Sequence, residues 1–178
     1  MPGRVIFLNG SSSAGKTTLS WALREVLPDT WLALGIDTFI YSAPFRLFGT
    51  EEGHRFVDGP RLVSGPEFLR LNRAWHRAAV TLLEEGFDLI VDEVLFDAAI
   101  RDDWLQVLAP YDVLWIKVWC EPETCEERAS RRGDRMPGMA RLQAAEVHDG
   151  VPYSLEVDTT ATDTGTLART IAAAVAAR

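Results

Sequence analysis

The feature of this sequence that most constrains its fold is Gly10-Ser-Ser-Ser-Ala-Gly-Lys16-Thr17, which matches the pattern G-x-x-x-x-G-K-[ST] in full. An apolar run at residues 5–8 precedes it, and residues 19–23, which follow it, have the pattern of a helix. The pattern works where a strand turns sharply into a helix, because consecutive backbone N–H groups and the helix N-terminus then converge on one anion. The sequence therefore predicts a strand, a phosphate-binding loop and a helix in that order.

The residues of this loop have separate tasks in binding a nucleotide. Gly10 and Gly15 allow the tight turn, the Lys16 ammonium reaches the β- and γ-phosphates, and the Thr17 hydroxyl can bind Mg²⁺. The chain has no N-K-x-D pattern for reading guanine, which favours ATP over GTP. We therefore expect ATP and Mg²⁺ at this loop. The predicted nucleotide-binding residues of the loop are Gly10, Ser11, Ser12, Ser13, Ala14, Gly15, Lys16, Thr17 and Thr18.

Composition and charge narrow the class of partner. The length of 178 residues suits one domain, and the net charge of −8 argues against a nucleic acid, because binding a phosphate backbone requires a basic face. No apolar run approaches the ~20 residues of a membrane span, and no signal segment precedes the first strand. Cys120 and Cys125 are too few for a disulfide framework, so we expect reduced thiols. These features predict a cytoplasmic protein with a small-molecule substrate and no membrane partner.

Short apolar runs alternate with helical patterns along the chain. Such alternation predicts an α/β fold in three layers, with a parallel five-stranded sheet and helices on both faces. The predicted strands cover residues 5–8, 31–36, 89–91, 113–118 and 155–157. The predicted helices cover residues 16–27, a stretch from near Pro66 to Gly86, residues 121–143 with an interruption, and residues 164–178.

Two irregular segments are expected to serve the substrate side of the sheet. Residues 38–65 form an insertion with a candidate hairpin at residues 57–63, and insertions of this length are often functional. Its side chains offer apolar walls and cations for a substrate, although solvated surface residues are the alternative interpretation. The candidate substrate-binding residues are Tyr41, Phe45, Arg46, His54 and Arg55, with Phe48 and Arg61 beside them.

Residues 126–140 carry glycines and a proline within a helical pattern, which indicates a mobile lid. Guanidinium groups on a lid can close over a transferring phosphate. Surface pairs with Glu126, Glu127 and Asp134 are the alternative, so we expect two of the four arginines to contact nucleotide. The four are Arg128, Arg131, Arg132 and Arg135.

Carboxylates follow two of the predicted strands. Asp92 ends the strand that begins at residue 88 and is expected to hold Mg²⁺, with Glu93 as a second candidate and a plain polar strand end as the alternative. Asp37 follows the strand at residues 31–36, so it emerges at the same sheet edge as the phosphate loop. It can take the proton of an acceptor hydroxyl, or it can cap a helix at residues 38–41. Thr159 lies between the last strand and the last helix, where such folds often wrap the nucleotide base.

Taken together, these residues make the sequence similar to the chloramphenicol phosphotransferase family of P-loop kinases. The resemblance covers nearly the whole chain, which is more specific than a phosphate loop alone. The segments that carry it are residues 7–16, 31–37, 64–68, 112–115, 132–135, 138–140 and 156–160.

The resemblance implies a P-loop kinase fold and a reaction in which ATP phosphorylates a hydroxyl of an antibiotic. It implies that Asp37 is the base and that Arg132 and Arg135 are catalytic together with Lys16, while Arg128 is a third match. Ser11 and Thr17 replace a glycine and a serine that are usual in the family, and both substitutions preserve the loop. Arg131 and the residues of the insertion depart from the family pattern, so the acceptor stays open.

We therefore expect a phosphotransferase that moves the γ-phosphoryl group of ATP to a hydroxyl of a small molecule, in antibiotic resistance or self-protection. A metabolic or nucleotide-sugar kinase is the alternative among enzymes, because shikimate-kinase-like and zeta-toxin-like proteins have the same parts. A nucleotide-dependent switch protein is the alternative outside enzymes. An acid at the end of the second strand favours an enzyme over a switch.

Overall fold

The structure is a computed structural model that describes residues 1–133 and 136–178. Its centre is a parallel five-stranded sheet in the order β2-β5-β1-β6-β7, which confirms the predicted α/β class and all five predicted strands. The sheet strands are β1 (Val5–Asn9), β2 (Trp31–Gly35), β5 (Asp88–Glu93), β6 (Val113–Trp119) and β7 (Leu155–Asp158). A separate antiparallel pair consists of β3 (His54–Val57) and β4 (Arg61–Ser64).

Helices cover both faces of the sheet. The described chain contains α1 (Lys16–Val26), α2 (Ile36–Ile40), α3 (Pro66–Glu84), α4 (Ala98–Leu108), α5 (Pro122–Arg132), α6 (Met139–Glu146) and α7 (Thr164–Ala176), with a short 3-10 helix at Phe45–Leu47. Helix α4 was not predicted from the sequence. None of the helices within residues 1–133 and 136–178 has the length and apolar character needed to cross a membrane.

The alternation of β1 side chains divides the core into two halves. Ile6 and Leu8 are fully buried on one face, in a cluster that contains residues of α1 and α7. Phe7 is fully buried on the other face, where its ring meets those of Trp104 and Trp115 at centroid distances of 5.3 and 4.4 Å. A strand that is buried on both faces is the expected centre of a parallel sheet. The phosphate loop therefore begins directly after the buried central strand of the sheet.

The insertion contains the predicted hairpin, although its strands start at His54 rather than at residue 57. Val57 pairs with Arg61, so three residues connect the strands, and the first two, Asp58 and Gly59, have left-handed φ angles of 47° and 82°. Arg61 in β4 forms an ion pair of 3.0 Å with Glu146 in α6. The hairpin is thereby joined to the helix that follows the predicted lid.

The predicted interruption of the helical segment at residues 121–143 is present, between α5 and α6. The Glu126 carboxylate accepts hydrogen bonds from the backbone N–H groups of Gly138, at 2.9 Å, and Arg141, at 3.1 Å. These bonds satisfy free N–H groups at the start of α6. Glu126 therefore fixes α6 beside α5.

Candidate active site

The candidate site lies at the carboxyl edge of the sheet. At two positions there, Gly10 and Gly35, another segment of backbone passes too close for a Cβ atom. A Cβ at Gly10 would lie 2.3 Å from the Val118 carbonyl oxygen, and a Cβ at Gly35 would lie 2.3 Å from the Asp92 carbonyl oxygen. The register pairs Gly35 with Asp92, so the end of β2 meets the end of β5. The phosphate loop, Asp92 and the start of α2 therefore lie at one edge, as predicted.

The phosphate loop has the shape of an anion-binding turn. Ser13 and Gly15 have φ angles of 62° and 87° in the left-handed region, and the Ala14 N–H donates to the Ser11 carbonyl at 3.2 Å. The Ser13 hydroxyl is buried and has no hydrogen-bond partner among the described residues. Backbone N–H groups in such a turn, with a free hydroxyl beside them and a helix N-terminus behind, fit a phosphate group.

Lys16 is folded back onto this loop. It is 6% exposed, and its Nζ donates to the carbonyl oxygens of Gly10 at 3.1 Å and Ser11 at 2.9 Å. Burial lowers the pKa of Lys16, and the negative charges of Asp92 and Asp37 oppose this shift. The ammonium group is therefore held inside the loop, within the field of both predicted carboxylates.

Thr17 and Asp92, the two residues predicted to bind the metal ion, are in contact. The Thr17 hydroxyl donates to Asp92 Oδ2 at 2.6 Å, while Asp92 Oδ1 lies 3.9 Å from Lys16 Nζ. Mg²⁺ prefers oxygen ligands from hydroxyl, carboxylate and phosphate groups. A hydroxyl and a carboxylate in contact beside a phosphate loop fit this preference, so Thr17 and Asp92 are the residues that would hold the ion.

Asp37 lies in the first turn of α2 and is exposed. The helix begins at Ile36 with Gly35 as its N-cap, so the interpretation of Asp37 as a cap for residues 38–41 is wrong. Its backbone carbonyl accepts from the Tyr41 N–H at 3.0 Å, and its carboxylate is close enough to influence Lys16. The acid is thus accessible at the sheet edge that carries the phosphate loop.

Glu93 does not join the predicted metal site. Adjacent strand residues face opposite sides of a sheet, and Asp92 is the residue that contacts Thr17. Glu93 is 2% exposed, and its Oε1 accepts from Trp75 Nε1 at 2.7 Å and from the Ile36 N–H at 3.1 Å. Burial raises its pKa to about 8, against the opposing effect of the Trp75 hydrogen bond, and the nearby charge of Asp92 adds to the increase.

Two further predicted nucleotide-binding residues lie beside the loop. Arg128 in α5 donates through Nη2 to the Thr159 carbonyl at 2.7 Å and through Nη1 to the Thr159 hydroxyl at 3.3 Å. That hydroxyl also donates to the Ala14 carbonyl at 2.7 Å. The first arginine of the predicted lid and the segment after β7 are therefore both connected to the phosphate loop.

Arg131 and Arg132 lie at the end of α5, three and four residues after Arg128. Arg132 is the last residue of α5 and is exposed. Arg131 lies 3.7 Å from Glu127, which is the surface pairing considered as the alternative. Arg135 is outside the described residues, so its predicted contact with phosphate stays a prediction.

Most of the candidate substrate residues lie on the surface of the insertion and are not packed into the core. Tyr41 and Phe45 are 83% and 95% exposed, Arg46 is exposed, and Arg55 lies 4.0 Å from Glu51. His54 packs inward instead, with its ring stacked on Phe68 at 4.1 Å, and burial lowers its pKa to about 4. Their role in binding an acceptor stays a prediction.

Two side chains that hold the phosphate loop in place, those of Asn9 and Gln143, were not predicted from the sequence. The Asn9 side chain donates to the Val147 carbonyl at 2.7 Å and accepts from the Leu95 N–H at 3.0 Å. Gln143 in α6 accepts from the Ser12 N–H at 2.8 Å, so this amide of the loop is already used within the protein. Asn9, an uncharged polar residue at the end of a buried strand, was visible in the sequence. The Gln143 contact had no sequence signal.

The fold and the loop together are those of P-loop kinases. Its structure resembles the APS kinase of Mycobacterium tuberculosis in complex with AMPPNP and APS, with a TM-score of 0.65, 16% identity and coverage of 98% of each chain. It also resembles shikimate kinase of Acinetobacter baumannii in complex with shikimate, with a TM-score of 0.64, 16% identity and coverage of 98% and 94%. The tunicamycin resistance protein of Deinococcus radiodurans gives a TM-score of 0.63, 20% identity and coverage of 97% and 95%.

Within this class the family is established by sequence. Residues 3–176 match the family described as chloramphenicol phosphotransferase-like protein, and the chain belongs to that family. A relative from Mycobacterium tuberculosis, named "Putative O-phosphotransferase", is 33% identical over 179 residues that cover 94% of this chain and 80% of the relative. The resemblance seen in the sequence is thus confirmed.

Proposed function

We propose that this protein transfers the γ-phosphoryl group of ATP to a hydroxyl of a small molecule, with Mg²⁺ as the metal ion. The observation that carries the proposal is the placement of Asp37 at the sheet edge that also holds Lys16, Thr17 and Asp92. A phosphate loop alone supports nucleotide binding. An exposed acid beside it supplies a proton acceptor for an alcohol, which a switch protein does not require.

The residues of the chain divide the work as follows. Asp37 accepts the proton of the acceptor hydroxyl as the hydroxyl oxygen bonds to the γ-phosphorus, and the bond between that phosphorus and ADP breaks, so that ADP leaves. The Lys16 ammonium exchanges its bonds to loop carbonyls for bonds to phosphate oxygens, and Arg128 and Arg132 supply further positive charge. When bound, Mg²⁺ neutralises charge on the phosphates. Thr17 and Asp92 are the residues that would hold this ion.

The acceptor in this proposal is an antibiotic of the chloramphenicol type or another natural product, and the reaction confers resistance or self-protection in the cytoplasm. Family membership supports this class, and one structural neighbour is named for resistance to tunicamycin. The insertion adds exposed aromatic rings at Tyr41 and Phe45 together with Arg46 and Arg55. Such a mixture suits an acceptor with an apolar body and a polar or anionic portion.

A metabolic kinase is the second candidate, with a polar metabolite or a nucleotide sugar as acceptor. The structural neighbours that support it are shikimate kinase and a gluconokinase from Sinorhizobium meliloti, the latter with a TM-score of 0.63 and 17% identity. Likeness at this identity concerns the fold, so the choice between the candidates depends on the acceptor. Both candidates share the chemistry assigned to Asp37.

A screen of hydroxylated compounds tests the proposal. ADP release is measured with ATP, Mg²⁺ and each compound, and mass spectrometry detects an added phosphoryl group on the compound. Lys16→Ala and Asp37→Asn serve as inactive controls, since the first weakens phosphate binding and the second removes the base. We expect turnover that depends on the acceptor, with a polar natural product giving a higher kcat/KM than chloramphenicol. Slow ATP hydrolysis that no compound accelerates would contradict the kinase assignment.

A further inference from the structure

The helix that carries Asp37 is too short to fix its own orientation. α2 has five residues, and isolated helices of this length are unstable because nucleation is costly. Its N-cap is Gly35, and no side-chain cap bond is formed there. The free N–H groups of its first turn therefore depend on partners elsewhere in the fold.

Glu93 supplies such a partner from a different element. Its Oε1, at the end of β5, accepts from the N–H of Ile36, the first residue of α2, at 3.1 Å. The same oxygen accepts from Trp75 Nε1 in α3 at 2.7 Å. Asp37 is the next residue after Ile36, so the side-chain carboxyl group of Glu93 is hydrogen-bonded to the backbone one residue before the proposed base.

Trp75 also contacts α2 directly, through the ring of Phe39. The Trp75 side chain is fully buried, and its ring lies 5.0 Å from that of Phe39, which is also in α2. It lies 5.6 Å from the Trp104 ring in α4, where it is part of the core. α2 is therefore held at its start by Glu93 and along its length by an aromatic contact, and both connections pass through rigid elements.

We propose that Glu93 is a positioning residue for phosphoryl transfer, which fixes the start of α2 so that Asp37 meets the acceptor hydroxyl. The inference rests on the proposed function, because it assigns Glu93 a task through Asp37. A displacement of about 1 Å between reacting groups can cost about 10²-fold in rate, so the anchor of a short helix affects kcat. Nucleotide affinity does not depend on this anchor, since the phosphate loop is held by β1 and α1.

Two substitutions at Glu93 distinguish the effect of its accepted hydrogen bonds from the effect of filling this position in the core. Glu93→Leu keeps a similar volume in the core and removes both accepted bonds. Glu93→Gln keeps an oxygen that can accept from Ile36 and Trp75. We expect Glu93→Leu to lower kcat for the acceptor by about 10- to 10²-fold while the KM for ATP changes less than about twofold, and Glu93→Gln to restore most of the loss.

The decisive control is the same substitution in a chain that already lacks the base. If Glu93 acts through Asp37, Glu93→Leu lowers the residual rate of Asp37→Asn by less than about twofold, because coupled residues are not additive. Rates are measured under single-turnover conditions at a temperature where circular dichroism shows every variant folded. An equal loss from Glu93→Leu in both backgrounds would overturn the proposal and leave Glu93 with a structural role alone.

Ile36→Pro provides a second variant in case Glu93→Leu does not fold. Proline suits the first position of a helix and removes the N–H that Glu93 accepts, and the preceding Gly35 is extended, with φ −162° and ψ 175°. In the chain that keeps Asp37, we expect Ile36→Pro to lower kcat as much as Glu93→Leu does. In the chain that carries Asp37→Asn, we expect Ile36→Pro to cause no further loss of kcat. Wild-type kcat in Ile36→Pro would overturn the inference. If Asp37→Asn alone is fully active, the proposed function fails instead, and the two failures are thus distinguished.

Discussion

The Thr17 hydroxyl donates a hydrogen bond of 2.6 Å to Asp92 Oδ2, which joins the first turn of α1 to the end of β5. These two residues are separated by 75 positions in the chain, yet each was identified from the sequence as a metal-binding candidate. Their contact places a hydroxyl and a carboxylate next to Lys16, whose Nζ lies 3.9 Å from the other oxygen of Asp92. The arrangement leads to a direct prediction about Mg²⁺.

Replacing Asp92 by Asn is expected to lower kcat by about 10²-fold and to raise the Mg²⁺ concentration needed for half-maximal activity, because an ionised ligand is lost near the phosphates. Thr17→Ala should have the same direction of effect. Thr17→Ser is the matched control, since it keeps the hydroxyl. A titration of activity against Mg²⁺ measures all three variants. Unchanged Mg²⁺ dependence in Asp92→Asn would show that another residue holds the metal.

Arg132 and Arg131 are neighbours at the end of α5 with different predicted tasks. Alanine at Arg132 is expected to lower kcat for the acceptor by about tenfold or more and to change the acceptor KM less, because a guanidinium that closes over the phosphates acts in the transition state. Alanine at Arg131, which lies 3.7 Å from Glu127, serves as the control and should change kcat less than about twofold. Steady-state kinetics of the pair make the comparison. Equal losses from both substitutions would argue against a specific role for Arg132.

His54 gives a prediction about stability as a function of pH. Its pKa is lowered from 6.5 to about 4, first by burial, while the charge of Asp97 opposes the shift. The unfolded chain therefore binds a proton that the folded chain does not, so stability present above pH 6.5 is lost as the pH falls toward 4, by up to about 3 kcal/mol. His54→Phe removes this titration and keeps the stacking on Phe68.

Urea unfolding at several pH values tests this effect. His148 also has a pKa lowered to about 4, and burial lowers the pKa of His76, so three histidines reduce the stability of the wild-type chain as the pH falls. The informative quantity is the difference in unfolding free energy between His54→Phe and the wild type. We expect that difference to shift in favour of the variant as the pH falls from 7 to 4. A difference that does not change with pH would mean that His54 has the same pKa in the folded and the unfolded chain.

Most of the fold could be predicted because its strands are short apolar runs bounded by breaks. Helix α4 was missed although Ile100, Trp104 and Leu108 are spaced four residues apart and are all buried. Residues 101–103, between Ile100 and Trp104, are all charged, and this made the apolar face of the helix hard to recognise. Asp97, whose side chain accepts from the Ala99 N–H at 2.9 Å, was a visible cap for the helix. The signal for α4 was therefore present in the sequence.

The candidate site could be predicted only where chemistry and strand ends coincide. Lys16, Thr17 and Asp92 follow from the loop pattern and from an acid that ends a strand. The choice between Asp92 and Glu93 requires the orientation of β5, because strand residues alternate between faces and the sequence does not say which face meets Thr17. The bond from Ser12 to Gln143 spans 131 positions and depends on how α6 packs, which no local pattern specifies.

We propose Asp37 as the base of an ATP-dependent phosphotransferase, and the variant Asp37→Asn provides the test of this role. Once the screen has provided an acceptor, we measure the affinity of the variant for an ATP analogue and its rate of acceptor phosphorylation as a function of pH. We expect nearly unchanged nucleotide affinity and a rate lowered by roughly 10²- to 10⁴-fold, the usual contribution of a positioned general base. An Asn variant with wild-type rate and an unchanged pH profile would contradict the assignment of Asp37 as the base.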